Sequence, residues 1–172
     1  GYLSYLGDVT TTDKLSTKKT HSLSALLAEL DDFFKRFHAP HRSIHRLTLV
    51  THFIKKDWSP QKNGSSGPYK HYPLINELRR ATNVLLNDLT RWPRLTSWVR
   101  GIDAAANELD APPDVFSPVF RVCHRAGLSR RTFHAGEDFR HILSGIATMR
   151  EALELLNLRD GDRIGHGTAM GI

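Results

Sequence analysis

Two short segments of this chain carry residue types that do chemistry: His134-Ala135-Gly136-Glu137 and Ile164-Gly165-His166-Gly167. Each histidine closes a short run, Arg131-Thr132-Phe133 in one case and Arg163-Ile164-Gly165 in the other. Parallel α/β proteins collect catalytic groups at such strand ends. An imidazole followed by two small residues and a carboxylate suits a metal ligand with a general acid or base beside it. Gly165 and Gly167 let a substrate or metal come close to the backbone around His166. The bland alternative, a core histidine bonded to backbone, accounts for neither the nearby Glu137 nor the flanking glycines. The spacing of Gly165, Gly167 and Gly171 matches neither dinucleotide nor Walker phosphate loops.

Further candidates lie upstream. Asp103 is expected to end a strand that starts at Trp98, and the small residues Ala104-Ala105-Ala106 after it would admit a flat ligand; capping of the next turn is an equal reading. His52 either lines the mouth of the sheet or is a satisfied sheet residue. His38, His41 and His45 straddle Pro40 and read as structural rather than metal-binding.

The elements that would position these groups follow from periodicity. Residues 1–21, rich in Thr, Ser and Lys, read as a loop or mobile segment, and 22–172 as one part of a larger α/β domain. Leu23, Leu26, Leu27, Leu30, Phe33, Phe34 and Phe37 share a helical face, with Ser22 as N-cap and Pro40 as stop. A strand is expected over 46–54, a loop over 57–68 and a helix over 72–89. A strand at 98–103 then precedes a helix opened by Pro112-Pro113. Thr132-Phe133-His134 forms the third strand, a helix spans about 140–157, and Arg163-Ile164-Gly165 is the fourth. Later strands recur at intervals of about 32 residues, so the order implies a parallel sheet with crossover helices. Such an order fits either an open doubly wound sheet or part of a (β/α)8 TIM-type barrel, and half of a barrel fits best, because closure needs about 250 residues.

Composition limits the classes. With 172 residues and 40% hydrophobic content the chain can bury a core. No apolar stretch approaches the ~20 residues of a membrane span, and the first residues lack a signal-peptide pattern, so the expected setting is cytoplasmic with no membrane partner. Cys123 is the only cysteine, which excludes an internal disulfide and a thiolate-rich zinc site; any metal is left to His and carboxylate. The net charge of +6 favours acidic partners only diffusely. The doublets Lys18-Lys19, Lys35-Arg36, Lys55-Lys56, Arg79-Arg80 and Arg130-Arg131 read as solvated faces rather than phosphate sites.

From Arg46 onward, the segments Gly101-Ile102-Asp103, Thr132 to Glu137 and Asp162 to Gly167 resemble the adenosine deaminase family of metal-dependent hydrolases. The resemblance implies a (β/α)8 barrel, here strands three to six, one zinc ion, and hydrolytic loss of ammonia from C6 of adenosine or an adenine nucleotide. It makes His134 the zinc ligand on the fifth strand, Glu137 the group that protonates purine N1, and His166 the residue that orients the attacking hydroxide. Asp103 takes a supporting role near the metal. Gly136 lies in the same turn, and Ala106 stands where the family usually has a glycine whose N–H contacts the purine. The family's His-x-His occurs nowhere in the chain, so the resemblance also implies an internal segment of a longer protein, homo-oligomeric when complete. His134 to Phe139, Ser144-Gly145 and Gly161-Asp162-Arg163 look most like the large bacterial deaminases of RADAR-type antiphage defence. The rival reading is a non-catalytic basic α/β module that binds nucleic acid or a protein partner.

Overall fold

The computed structural model describes residues 23–37, 48–57 and 69–171. Four strands, β1 (Leu49–Ile54), β2 (Val99–Ala105), β3 (Arg130–Ala135) and β4 (Arg163–His166), form one sheet in the order β1-β2-β3-β4, every pair parallel. The helices are α1 (Leu23–Phe37), α2 (Tyr72–Arg91), α3 (Pro113–Arg125) and α4 (Ile142–Leu155). Strand order equals chain order, as the expected βα repeat requires, and β1 and β4 are the outer strands of this sheet. The segment 1–21, the three histidines around Pro40 and most of the 57–68 loop lie outside the described residues.

Side chains on a strand alternate between faces, and laterally paired residues of a parallel sheet share one. Phe53, Ala104, Phe133 and Ile164 therefore form one row, facing the helices. Phe133 is fully buried and meets Phe116 and Phe120 of α3 edge-on, ring centroids 5.7 and 6.2 Å away. Helix α2 buries Leu74, Leu78, Ala81, Leu85 and Leu89, the stripe set by its spacing. Pro113 opens α3 without losing a helical hydrogen bond, since the first N–H groups have no intrahelical acceptor. His52 and Asp103 pair across β1 and β2 in the opposite row, the face that also carries His134 two residues beyond Thr132.

Two expectations are corrected. Asp103 lies inside β2, which runs on to Ala105, and it caps no turn. The doublets Lys55-Lys56 and Arg130-Arg131 are not simply solvated faces: Lys55 is 2% exposed and Arg131 3%. On α4, Met149 and Ala152 are buried, whereas Ile146 and Leu153 are exposed.

Arg131 shows what a buried cation requires. Its guanidinium pairs with Asp162 and donates to the carbonyls of Leu156 and Asn157 at 3.2 and 2.9 Å, joining β3 to the end of α4. Asp162 also accepts the Arg131 and Arg159 backbone N–H groups at 3.0 and 2.9 Å, which fixes the turn into β4. Asp162→Ala strands a buried guanidinium, and urea unfolding should show a loss of about 3–5 kcal/mol.

Among the described residues no helix is long and apolar enough to cross a membrane.

Candidate active site

The C-terminal ends of the four strands bring five titratable side chains into one chain of contacts. Asp103 Oδ2 lies 2.9 Å from His52 Nδ1 and 3.2 Å from His134 Nε2. His134 Nδ1 faces His166 Nε2 at 3.1 Å, the two rings edge to face. His166 Nδ1 in turn lies 3.2 Å from Glu137 Oε2. Within the run His52, Asp103, His134, His166, Glu137, the carboxylate shared by two histidines is 4% exposed and the terminal one 52%, so Asp103 is dry and the Glu137 end is open to solvent.

Backbone geometry explains why these residues meet. Gly136 has φ +88°, and a Cβ there would lie 2.6 Å from Met149 Sδ, so the turn after His134 needs glycine on both counts. The following segment locks onto it: Gly167 N–H donates to Ala135 O at 3.1 Å, Ala169 N–H to Gly136 O at 2.8 Å, and the Thr168 hydroxyl to the same oxygen at 2.6 Å. His166 and Ala106 hold φ values of +64° and +87°, strained for residues with a Cβ, and such strain concentrates at functional sites. At Ala106 a glycine would carry no such strain.

Gly165 pairs with His134 across the ladder, and a Cβ on it would stand 2.8 Å from the His134 ring. Gly165→Ala is therefore expected to push the imidazole away from Asp103 and His166. A 1 Å displacement of a reacting group can cost about 10²-fold in rate. The check is turnover and metal content of the full-length variant, and wild-type values for both would contradict the packing argument.

Electrostatics follow the contacts. Burial pushes the Asp103 carboxyl up, but its hydrogen bonds to His134 and His52 outweigh this and hold it below its usual value. The same bond to Asp103 raises His134 against the opposing effect of burial. Asp103 Oδ1 is buried with no hydrogen-bond partner among the described residues, as is Glu108 Oε1. Glu108 Oε2 accepts the N–H groups of Glu137 and Asp138 at 2.9 and 3.2 Å.

The donor set suits a zinc ion in kind, combining a carboxylate that has an unused oxygen with a strand-end imidazole whose Nδ1, the nitrogen not held by Asp103, would exchange its contact with His166 for the metal. In number it is short, because a catalytic zinc takes about three protein ligands. A second grouping is present: Glu108, Glu137 and His166 each bring one ligand atom within 4.8 Å of the others.

The sequence-derived candidates His134, Glu137, His166, Asp103 and Gly136 all fall at this one end of the sheet, with Ala106 just beyond β2. Sequence reasoning missed Lys55 and Glu108 and left His52 open. Lys55 was legible only as a residue one step past the end of a strand, where functional groups gather, and Glu108 only as a carboxylate shortly after Asp103.

No family model matches the chain. Over 70 residues, 41% of its length, it is 36% identical to an adenosine deaminase of Clostridium kluyveri, a match that covers 18% of that enzyme. This supports a distant adenosine deaminase-like relationship for a four-stranded, all-parallel α/β sheet.

Proposed function

We propose that this chain is part of a zinc-dependent adenosine deaminase-like hydrolase that converts adenosine or an adenine nucleotide to its inosine form. The observation that carries the reading is the contact chain from Asp103 through His134 and His166 to Glu137. His134 would hold the metal together with ligands outside the described residues, and Asp103 would orient the His134 ring. Zinc bound there would supply water acidified enough to attack at neutral pH. His166 would hold that water in line with purine C6. Glu137, at the solvent-open end, would deliver a proton to N1 and so make C6 electrophilic. The turn through Gly136 and the backbone N–H of Ala106 would border the purine.

The sheet is proposed as strands three to six of a (β/α)8 barrel. Its outer strands β1 and β4 support this, as do Leu143, Ile146 and Leu153, which are exposed on α4 at a spacing that puts them on one face. In the intact barrel the preceding βα unit would cover the β1 edge, and the following one the β4 edge together with this face of α4. Of the basic doublets, Lys55, Lys56 and Arg131 serve internal partners rather than an open nucleic-acid face.

The test is incubation of the full-length, zinc-loaded protein with adenosine and with adenine nucleotides, following ammonia release and the inosine product. No turnover on any of them would overturn the reading. A cytoplasmic, homo-oligomeric enzyme of antiphage defence is the narrower form of the proposal, tested by loss of phage protection in cells carrying an inactive variant.

A further inference from the structure

The turn that follows β3 is held from beneath by two buried charges that the chemistry proposed above does not use. Lys55, just past β1, is 2% exposed; its Nζ donates to the His134 carbonyl and lies 4.0 Å from the centroid of the Phe133 ring. Glu108, beyond β2, is 7% exposed and takes the backbone N–H groups of Glu137 and Asp138 on one oxygen. The two sets of bonds fall on either side of Ala135-Gly136. The carbonyls of that pivot are tied to Gly167, Ala169 and Thr168, while Gly136 itself, with no side chain and φ +88°, adds little stiffness. Among the carboxylates that favour the charged lysine, Glu108 acts most strongly, ahead of Asp103, while burial pushes the ammonium down to about 8. Desolvating two opposite charges is costly, and apolar residues of similar volume often serve a core as well. Among the described residues, the hydrogen bonds of both charged groups go to the backbone of this one turn.

We propose that Lys55 and Glu108 are positioning residues that clamp the His134 to Asp138 turn, Lys55 fixing the carbonyl of the metal-side histidine and Glu108 the amides that aim Glu137. The role in catalysis rests on the deaminase reading; the clamp on the turn does not. Neither residue touches the reacting atoms, so each acts through the backbone it holds.

The experiment uses the full-length protein with Lys55→Met/Glu108→Met, which removes both charges together, alongside Glu108→Gln, which restores one acceptor. Hydrogen–deuterium exchange is read on the peptide covering 134–138. In the double variant its amides should exchange at least about tenfold faster while the rest of β3 stays protected, with Glu108→Gln intermediate. Unchanged protection in the double variant overturns the clamp. In turnover, kcat per folded, metal-loaded molecule should fall about 10- to 100-fold with KM little changed. Placing Glu108→Gln on top of Glu137→Gln should cost nothing further, because the side chain being aimed is already disabled. A loss of stability alone, with kcat unchanged and effects additive, would make the pair structural and sink the positioning role. Faster exchange in a protein whose wild type deaminates no adenine compound would instead refute the deaminase reading and leave the clamp standing.

Discussion

Glu137→Gln in the full-length protein is expected to lower conversion of adenosine or an adenine nucleotide by about 10²- to 10⁴-fold, the usual cost of losing a general acid or base, with metal content unchanged. The change is nearly isosteric and keeps an oxygen that can face His166 Nδ1, 3.2 Å from Glu137 Oε2 in the native site. It also leaves the backbone N–H held by Glu108 in place. What it removes is the proton the carboxyl would give to purine N1. Because the Glu137 side chain is half exposed, the substitution should leave stability nearly untouched, so a rate loss reports chemistry rather than folding. The measurement is ammonia release under single-turnover conditions together with zinc analysis of the same sample. Wild-type turnover in the variant would remove Glu137 from the mechanism.

Zinc analysis of His134→Ala and His166→Ala should separate a ligand from a residue that only holds the nucleophile. His134→Ala is expected to lose the metal. His166→Ala is expected to keep it and to lose about 10²- to 10⁴-fold in rate. The alternative grouping sharpens this comparison, because Glu108, Glu137 and His166 could gather a metal without His134. Were that the true site, the pattern would invert, with His166→Ala metal-free and His134→Ala loaded. Asp103→Asn supplies a graded control: it keeps the shape of the partner 3.2 Å from His134 Nε2 but removes its charge, and loss of such a supporting group typically weakens metal binding about 10- to 100-fold.

The linear order of residues determined the elements and placed the chemistry at their ends. Apolar spacing marked α2 and α3, β-branched runs marked β1, and the roughly constant repeat required parallel pairing, because these signals lie in neighbouring residues and rest on helix and strand periods. The tetrads containing His134 and His166 could be assigned to adjacent strand ends for the same reason. Tertiary structure alone decided which groups touch. Asp103 reads from sequence as the last residue of a strand, either beside a flat ligand or capping a turn; the register of β1 against β2 sets it beside His52, and its Oδ2 takes His134 as well. Lys55 and Arg131 belonged to doublets that look solvated from composition. Each is buried because a carboxylate or carbonyl far away in sequence waits for it, and a residue's local surroundings carry no record of a partner brought in by the fold.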